Sequence, residues 1–388
     1  MNRLSFTILI SAIGISTQAQ DIASVLREIE HNNLELKAAQ SSNRAEIFDL
    51  KGQNCPENMS VEYSPFFRKG VTGMASSEMV VSQEFDFPTL YAARNKAVRL
   101  QQNAMDMEYM SVRRDILLTA QLKCMELILL NRMRDIMDER TSNAEELLVL
   151  YTKRLKEGDA TSIELNKIKM ELMDVQTELL QNEASRQQII MELQAMNSNK
   201  ALSLDSISYP DNEITEDGLW KDAVNGDRGV MTAEAMLAVQ EQEVRISRQG
   251  WLPKLSIGYR RNTEQDEASN GFMVGASLPI FSNRNKVKAA KARQTAVQQA
   301  LDNERIQVES AMRTQIAELK QLKEMLRIYD NELMKQSQTL LKKSVMAGNM
   351  SLIEYYTEMD KVYQKRLTYL NIENKYHSLL ATLHRNRL

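Results

Sequence analysis

The sequence predicts a predominantly helical α+β chain, one half written twice, with four amphipathic strands and two long helical hairpins. Three observations carry this. The stretch KEGDATSIE at 156–164 returns as MAGNMSLIE at 346–354, and a long-period duplication of this kind dictates architecture. Four short segments alternate apolar with polar or small residues, the period of a strand. Between them run long stretches without Pro and almost without Gly, as expected of long helices.

The elements follow in order. Residues 1–19 combine Arg3, an apolar run from Leu4 to Ile15, and small residues at Thr17 and Ala19. They read as an export signal peptide cleaved after Ala19. No Cys follows the site, so no lipid anchor is expected. The first repeat spans 20–197: a helix over 21–54, strands at about 59–67 and 77–87, and a helical hairpin over 88–197 turning at Gly158. A polar segment at 198–228, with Pro210 and a short helical piece near Trp220, reads as a linker packed around the middle of the rod. The second repeat, 229–388, has a helix over 229–250 and strands at about 254–262 and 270–281. Its hairpin, 283–385, turns at Gly348, with one unbroken helix expected from about 284 to 346.

Secondary echoes support the duplication. RNKA at 94–97 matches RNKV at 284–287, and SVEY at 60–63 matches SIGY at 256–259. On the strands, Val61 and Tyr63 alternate with Ser60 and Glu62, and Phe272, Val274 and Ala276 with Met273, Gly275 and Ser277. Apolar residues from Met312 through Ile316, Leu319, Leu322 and Leu326 to Leu333 recur mostly at steps of three and four, a coiled-coil seam. About 65 residues at 1.5 Å each make a rod of about 100 Å. Gly158 and Gly348 supply left-handed turns, and Thr161 or Ser162 and Ser351 can cap the helices that follow.

The remaining composition excludes more than it assigns. A net charge of −3 with no strongly basic half argues against a nucleic-acid partner. Cys55 and Cys124 are expected to be unpaired. His377 and His384 share a helix face without a His/Cys cluster, so no metal site is expected. The 23 Met read as core filling. No nucleophile–base arrangement or phosphate loop appears, so neither catalysis nor a cofactor is expected. The basic run RNKVKAAKAR at 284–293 reads first as a solvated helix face and second as a contact for membrane phosphates. Trp251 and the tyrosines near strand ends suit an aromatic girdle.

Four strands cannot close a barrel, and open strand edges cannot face lipid. Several copies must therefore pool their strands. With the exported N-terminus, the motifs NNLELKAAQ (32–40), WLPKLSIGY (251–259), LPIFSNRNK (278–286) and the two Gly turns, the chain resembles the TolC family of outer-membrane efflux channels. The resemblance covers essentially the whole mature chain. It implies a homotrimer with a twelve-stranded barrel in outer-membrane lipid, continuous with a long periplasmic α-helical barrel. It also implies docking to a periplasmic adaptor and an inner-membrane pump of RND or ABC type, with passive conduction. By the same resemblance Glu354, six residues after Gly348, lines the pore constriction, and Glu164 holds the equivalent place after Gly158. A second acid common in the family is here Thr357. The tip residues Arg154, Gly158, Gly348 and Ser351 are the expected adaptor contact. The competing expectation is a structural coiled-coil protein without a pore, which leaves the four strands unexplained.

Overall fold

The computed structural model describes residues 21–70, 72–202, 204, 208–210, 226–264, 267–279 and 283–388. The expected signal peptide, the piece near Trp220 and residues 280–282 lie outside them. The first repeat contains α1 (Ile22–Asn32), α2 (Leu34–Gly52), β1 (Ser60–Phe66), β2 (Ser76–Phe85), α3 (Pro88–Glu157) and α4 (Ser162–Met196). The second contains α5 (Arg228–Gln249), β3 (Lys254–Glu264), β4 (Glu267–Ser277), α6 (Lys286–Ile328), α7 (Asn331–Met346) and α8 (Leu352–Leu383). The chain is mostly helical with one four-stranded antiparallel sheet, as the duplicated pattern predicts.

The sheet has the order β1-β2-β3-β4. The repeats therefore meet at its centre, where Val81 of β2 pairs with Tyr259 of β3. The outer edges of β1 and β4 have no partner strand among the described residues.

Helix α3 runs 70 residues from Pro88, placed at its first turn, to Glu157, about 105 Å at 1.5 Å per residue. It packs along α4, α5 and α8. Near the strand-proximal half, α1 seals the hairpin, with Val25 and Ile29 against Ala120, Cys124, Ile128 and Leu193. Towards the tips a second core joins the two hairpins through Leu147, Tyr151, Ile168, Val345, Leu352, Tyr355 and Met359.

Two helices expected to be continuous are broken. The first breaks at Asn33, whose backbone is extended while its side chain caps α2 by accepting from the Leu36 amide. The Asn33 amide group donates to the Met196 carbonyl at 3.0 Å, and Asn32 donates to Asn197 at 2.8 Å. The corner is thus tied to the end of α4. The second break falls at Tyr329, also extended. Asp330 begins α7 by accepting from the Leu333 amide at 2.9 Å, and the Tyr329 ring lies 6.0 Å from Tyr369 of α8. In both places a side chain that satisfies a free helix-start amide outweighs unbroken helical periodicity.

Candidate channel wall and hairpin tips

The sheet registers sort the strand residues onto two chemically distinct faces. Val61 sits opposite Val81, which sits opposite Tyr259, which sits opposite Phe272. Gln83, Ile257 and Val274 form the adjoining row, and Phe85, Leu255 and Ala276 the one beyond it. Side chains two apart share a face, so this face is almost wholly apolar. It is also exposed: Phe272 is 91 % and Val274 83 % accessible. The opposite face carries Ser60, Glu62, Glu78, Ser82, Glu84, Ser256, Arg260 and Gly275. There Arg260 bonds Glu78 at 3.0 Å and the Ser60 and Ser82 hydroxyls meet at 2.7 Å. A sheet with one exposed, largely apolar face and one polar face has the alternation expected of a membrane-barrel wall.

The helices bear a second unpartnered surface. On α4 the buried residues Ile168, Val175, Asn182 and Ile189 recur every seven residues and face α3. Across the helix, at positions 163, 170, 177, 184 and 191, a second heptad row is exposed throughout. Ile163, Met170 and Met191 lie in that row, flanked by Met173 and Leu180. Leu333 and Leu340, seven apart on α7, are likewise exposed.

The two tips are built alike. Gly158 has φ 83° and Gly348 φ 77°. In each, the residue after the glycine donates back across the turn: Asp159 to the Arg154 carbonyl at 2.8 Å, Asn349 to the Ser344 carbonyl at 2.9 Å. This closes the last helical turn around a left-handed residue. Thr161 and Ser351, rather than Ser162, cap the return helices. Each belongs to a reciprocal capping box. The Glu164 carboxylate accepts from the Thr161 amide at 2.8 Å and hydroxyl at 2.9 Å. The Glu354 carboxylate accepts from the Ser351 amide at 3.1 Å and hydroxyl at 2.8 Å. These Ser351 hydrogen bonds hold the Glu354 carboxyl below the usual glutamate range, so the tip keeps its charge into more acidic solution. The cap therefore stabilises the tip fully above the ordinary glutamate pKa and weakens as pH falls through the depressed one.

The other tip residues are less uniform. Gly158, Gly348 and Ser351 are exposed, but Arg154 is half-buried. Its guanidinium lies over the Tyr151 ring and donates to the Met346 carbonyl at 2.7 Å, locking the first tip to the second. Thr357 turns its hydroxyl back to the Ile353 carbonyl at 2.9 Å. Alanine at Gly158 or Gly348 meets no neighbouring atom within 4 Å. The expected cost of either substitution is therefore backbone strain alone, about 1–2 kcal/mol, read as a small fall in unfolding temperature with assembly unchanged.

Behind the tips lies a polar network that the sequence did not reveal. Arg140, 9 % exposed, bonds Glu171 at 2.9 Å and Glu178 at 2.7 Å, tying α3 to α4. Its guanidinium stands 5.1 Å from the centre of the Tyr363 ring. The Tyr363 hydroxyl accepts from Asn143 at 3.1 Å, and Arg366 bonds Glu139 at 2.7 Å. Lys342 of α7 meets Glu146 of α3 at 2.9 Å. Burial pushes the phenols of Tyr355 and Tyr356 well above the ordinary tyrosine range. Cys55 is exposed and Cys124 buried, and burial raises the Cys124 thiol to about 12, far from a reactive thiolate. His377 stacks on Tyr209 at 4.5 Å. No cluster of three metal-type ligands occurs among the described residues.

The fold is a four-stranded sheet with one apolar and one polar face joined to a rod of paired helical hairpins. Residues 219–385 match the model of the family described as Outer membrane efflux protein. The fold resembles that of the CusC transmembrane channel, with a TM-score of 0.75 and 16 % identity over 95 % of this chain and 92 % of that one. It also resembles the Campylobacter jejuni CmeC outer membrane channel, with a TM-score of 0.71 and 14 % identity over 100 % and 93 %. In sequence, 95 residues are 36 % identical to the nickel-cobalt-cadmium resistance protein NccC of Alcaligenes xylosoxydans xylosoxydans. That stretch is 23 % of this chain and 21 % of NccC, so the match spans about a fifth of that relative. The likeness to the outer membrane efflux protein family is thus carried in sequence by residues 219–385, and the fold of nearly the whole chain is similar to that of solved outer-membrane channels.

Proposed function

We propose that three copies of this chain form a passive exit duct through the outer membrane, fed by an inner-membrane pump through a periplasmic adaptor docked at the hairpin tips. The observation that carries this reading is the pair of bare sheet edges beside a continuous apolar face. Each unpaired backbone group facing hydrocarbon costs several kcal/mol. Pairing β4 of one copy with β1 of the next removes every edge, and three copies supply twelve strands. The exposed heptad row of α4 extends the same junction along the rod, where α7 of a neighbouring copy offers Leu333 and Leu340. A coiled-coil protein without a pore would explain the second surface and leave the first in water. In the chain order proposed here, export follows removal of residues 1–19, and 198–228 links repeats of residues 20–197 and 229–388.

The duct conducts without chemistry of its own, and its charge favours cations. On the polar sheet face Glu62, Glu78, Glu84, Glu264 and Glu267 stand against Lys254 and Arg260. Glu354 and Glu164 add negative charge at the constriction while serving as the third residue of their capping boxes. Arg154, Gly158, Gly348 and Ser351 form the docking rim. The partial likeness to the nickel-cobalt-cadmium resistance protein NccC suits a metal-cation cargo.

Glu354→Gln tests the constriction cleanly, because glutamine also completes a capping box and so the change removes charge while keeping the turn. Single-channel recordings on the purified protein are expected to show a lower cation-to-anion permeability ratio at unchanged assembly. An unaltered ratio removes Glu354 from the constriction. Failure of the wild-type protein to conduct at all overturns the duct.

A further inference from the structure

The apolar sheet face contains one formal charge. Arg261 sits on it by register, in the row Tyr63–Met79–Arg261–Asn270. All five strand glutamates alternate onto the polar face, and so does Arg260, which pairs with Glu78. Among the described strand residues no carboxylate shares the face of Arg261. A charged side chain there is costly, about 2–4 kcal/mol at the bilayer midplane and near zero at the interface, so its height decides its meaning.

That height is the far end of the strands. Arg261 lies seven residues beyond Lys254 at the helix-proximal base and three before Glu264 at the hairpin end. At about 3.4 Å per residue it stands about 24 Å along the strand. The rows below it are apolar apart from Gln83. Only the row of Pro65, Ser77, Thr263 and Ala268 lies above. Tyr63 and Tyr259 flank it as an aromatic boundary does. The Tyr259 hydroxyl reaches up one row to donate to Asn270 at 2.9 Å, and the Tyr63 hydroxyl donates to the Met74 sulfur of the β1–β2 loop at 3.3 Å. Arg68 and Lys69 in that loop add positive charge at the same end.

We propose that Arg261 binds the phosphate of an outer-leaflet lipid headgroup, a phosphorylated glycolipid whose chains cover the apolar rows beneath. The proposal rests on the reading of the sheet as a membrane barrel. A planar guanidinium grips phosphate oxygens with two parallel N–H donors, and its stem lies along apolar surface while the head reaches the interface. Asn270 beside it offers a neutral polar partner. Three copies would place three such sites around the barrel, each where opposite charge offsets the otherwise unfavourable arginine.

The test measures binding of lipid A to the purified wild-type assembly in neutral detergent, beside chemically dephosphorylated lipid A and inorganic phosphate. Arg261→Gln, Arg261→Lys and Arg260→Gln assemblies are measured in parallel. Wild type is expected to bind the phosphorylated lipid more tightly than the dephosphorylated one, with inorganic phosphate a poor competitor. Arg261→Gln is expected to lose about ten- to a hundredfold in affinity for lipid A, the size of a lost hydrogen bond to a charged group. Arg261→Lys should lose less, and Arg260→Gln, one residue away on the other face, should bind as wild type. Equal binding of both lipids by wild type overturns the site even if no variant assembles, as does wild-type affinity in Arg261→Gln. Conductance of the wild-type assembly separates the two claims: a conducting protein indifferent to phosphate defeats the lipid site alone, while a non-conducting one defeats the barrel reading beneath it.

Discussion

A chain carrying Met173→Asp and Leu180→Asp is expected to fold its hairpins and fail to assemble. Both side chains lie on the exposed side of α4, 66 % and 73 % accessible, turned away from the buried row that packs on α3. The single chain therefore loses little by the change. In the proposed trimer each residue would be buried against a neighbouring copy, where covering a Leu or Met side chain contributes about 1.5–3 kcal/mol. Three copies repeat the loss, and each aspartate adds the desolvation of a charge with no partner. Gel migration of unheated samples reads this directly: the wild type is expected to run as a heat-dissociable trimer, the variant as single chains. A variant that remains trimeric would place the α4 row elsewhere than between copies.

Arg140→Ala is expected to be the most damaging single change within a chain. Arg140 and Glu171 are both about nine-tenths buried, and the arginine also holds Glu178 and covers the Tyr363 ring. Removing it leaves the Glu171 carboxylate buried without its cation, a change that costs about 3–5 kcal/mol. The double change Arg140→Met with Glu171→Met removes both charges and refills the volume, so it is expected to recover most of the loss. Denaturant unfolding midpoints for the wild type, the single and the double variant check both parts. Equal damage from the single and double changes would mean that the network acts through shape and hydrogen bonding rather than through an uncompensated charge.

The strands were legible because a residue pattern of period two survives even where one face meets lipid. The turns at Gly158 and Gly348 were legible because few residues other than glycine adopt a left-handed backbone, and the repeat set them side by side. The broken helices were partly legible. Asn33 followed by Glu35, and Asp330 followed by Glu332, are helix-start signatures that sit inside otherwise continuous periodicity. The capping function of Ser351 was visible in the sequence, while the use of Glu354 as its reciprocal partner needed coordinates. Contacts between distant segments were not legible at all. Arg154 bonds a carbonyl 192 positions away, and Arg140 looks in sequence like any charge on a long helix. Sequence periodicity reports which face of a helix is apolar, but not which buried charge meets which.

The central claim is that the strands of separate copies close one barrel. Native mass spectrometry of the protein extracted from outer membranes in mild detergent tests it most directly. The account predicts a complex of three chains, dissociating only with loss of strand structure. A folded species that remains a single chain, with its β1 and β4 edges open, would contradict it.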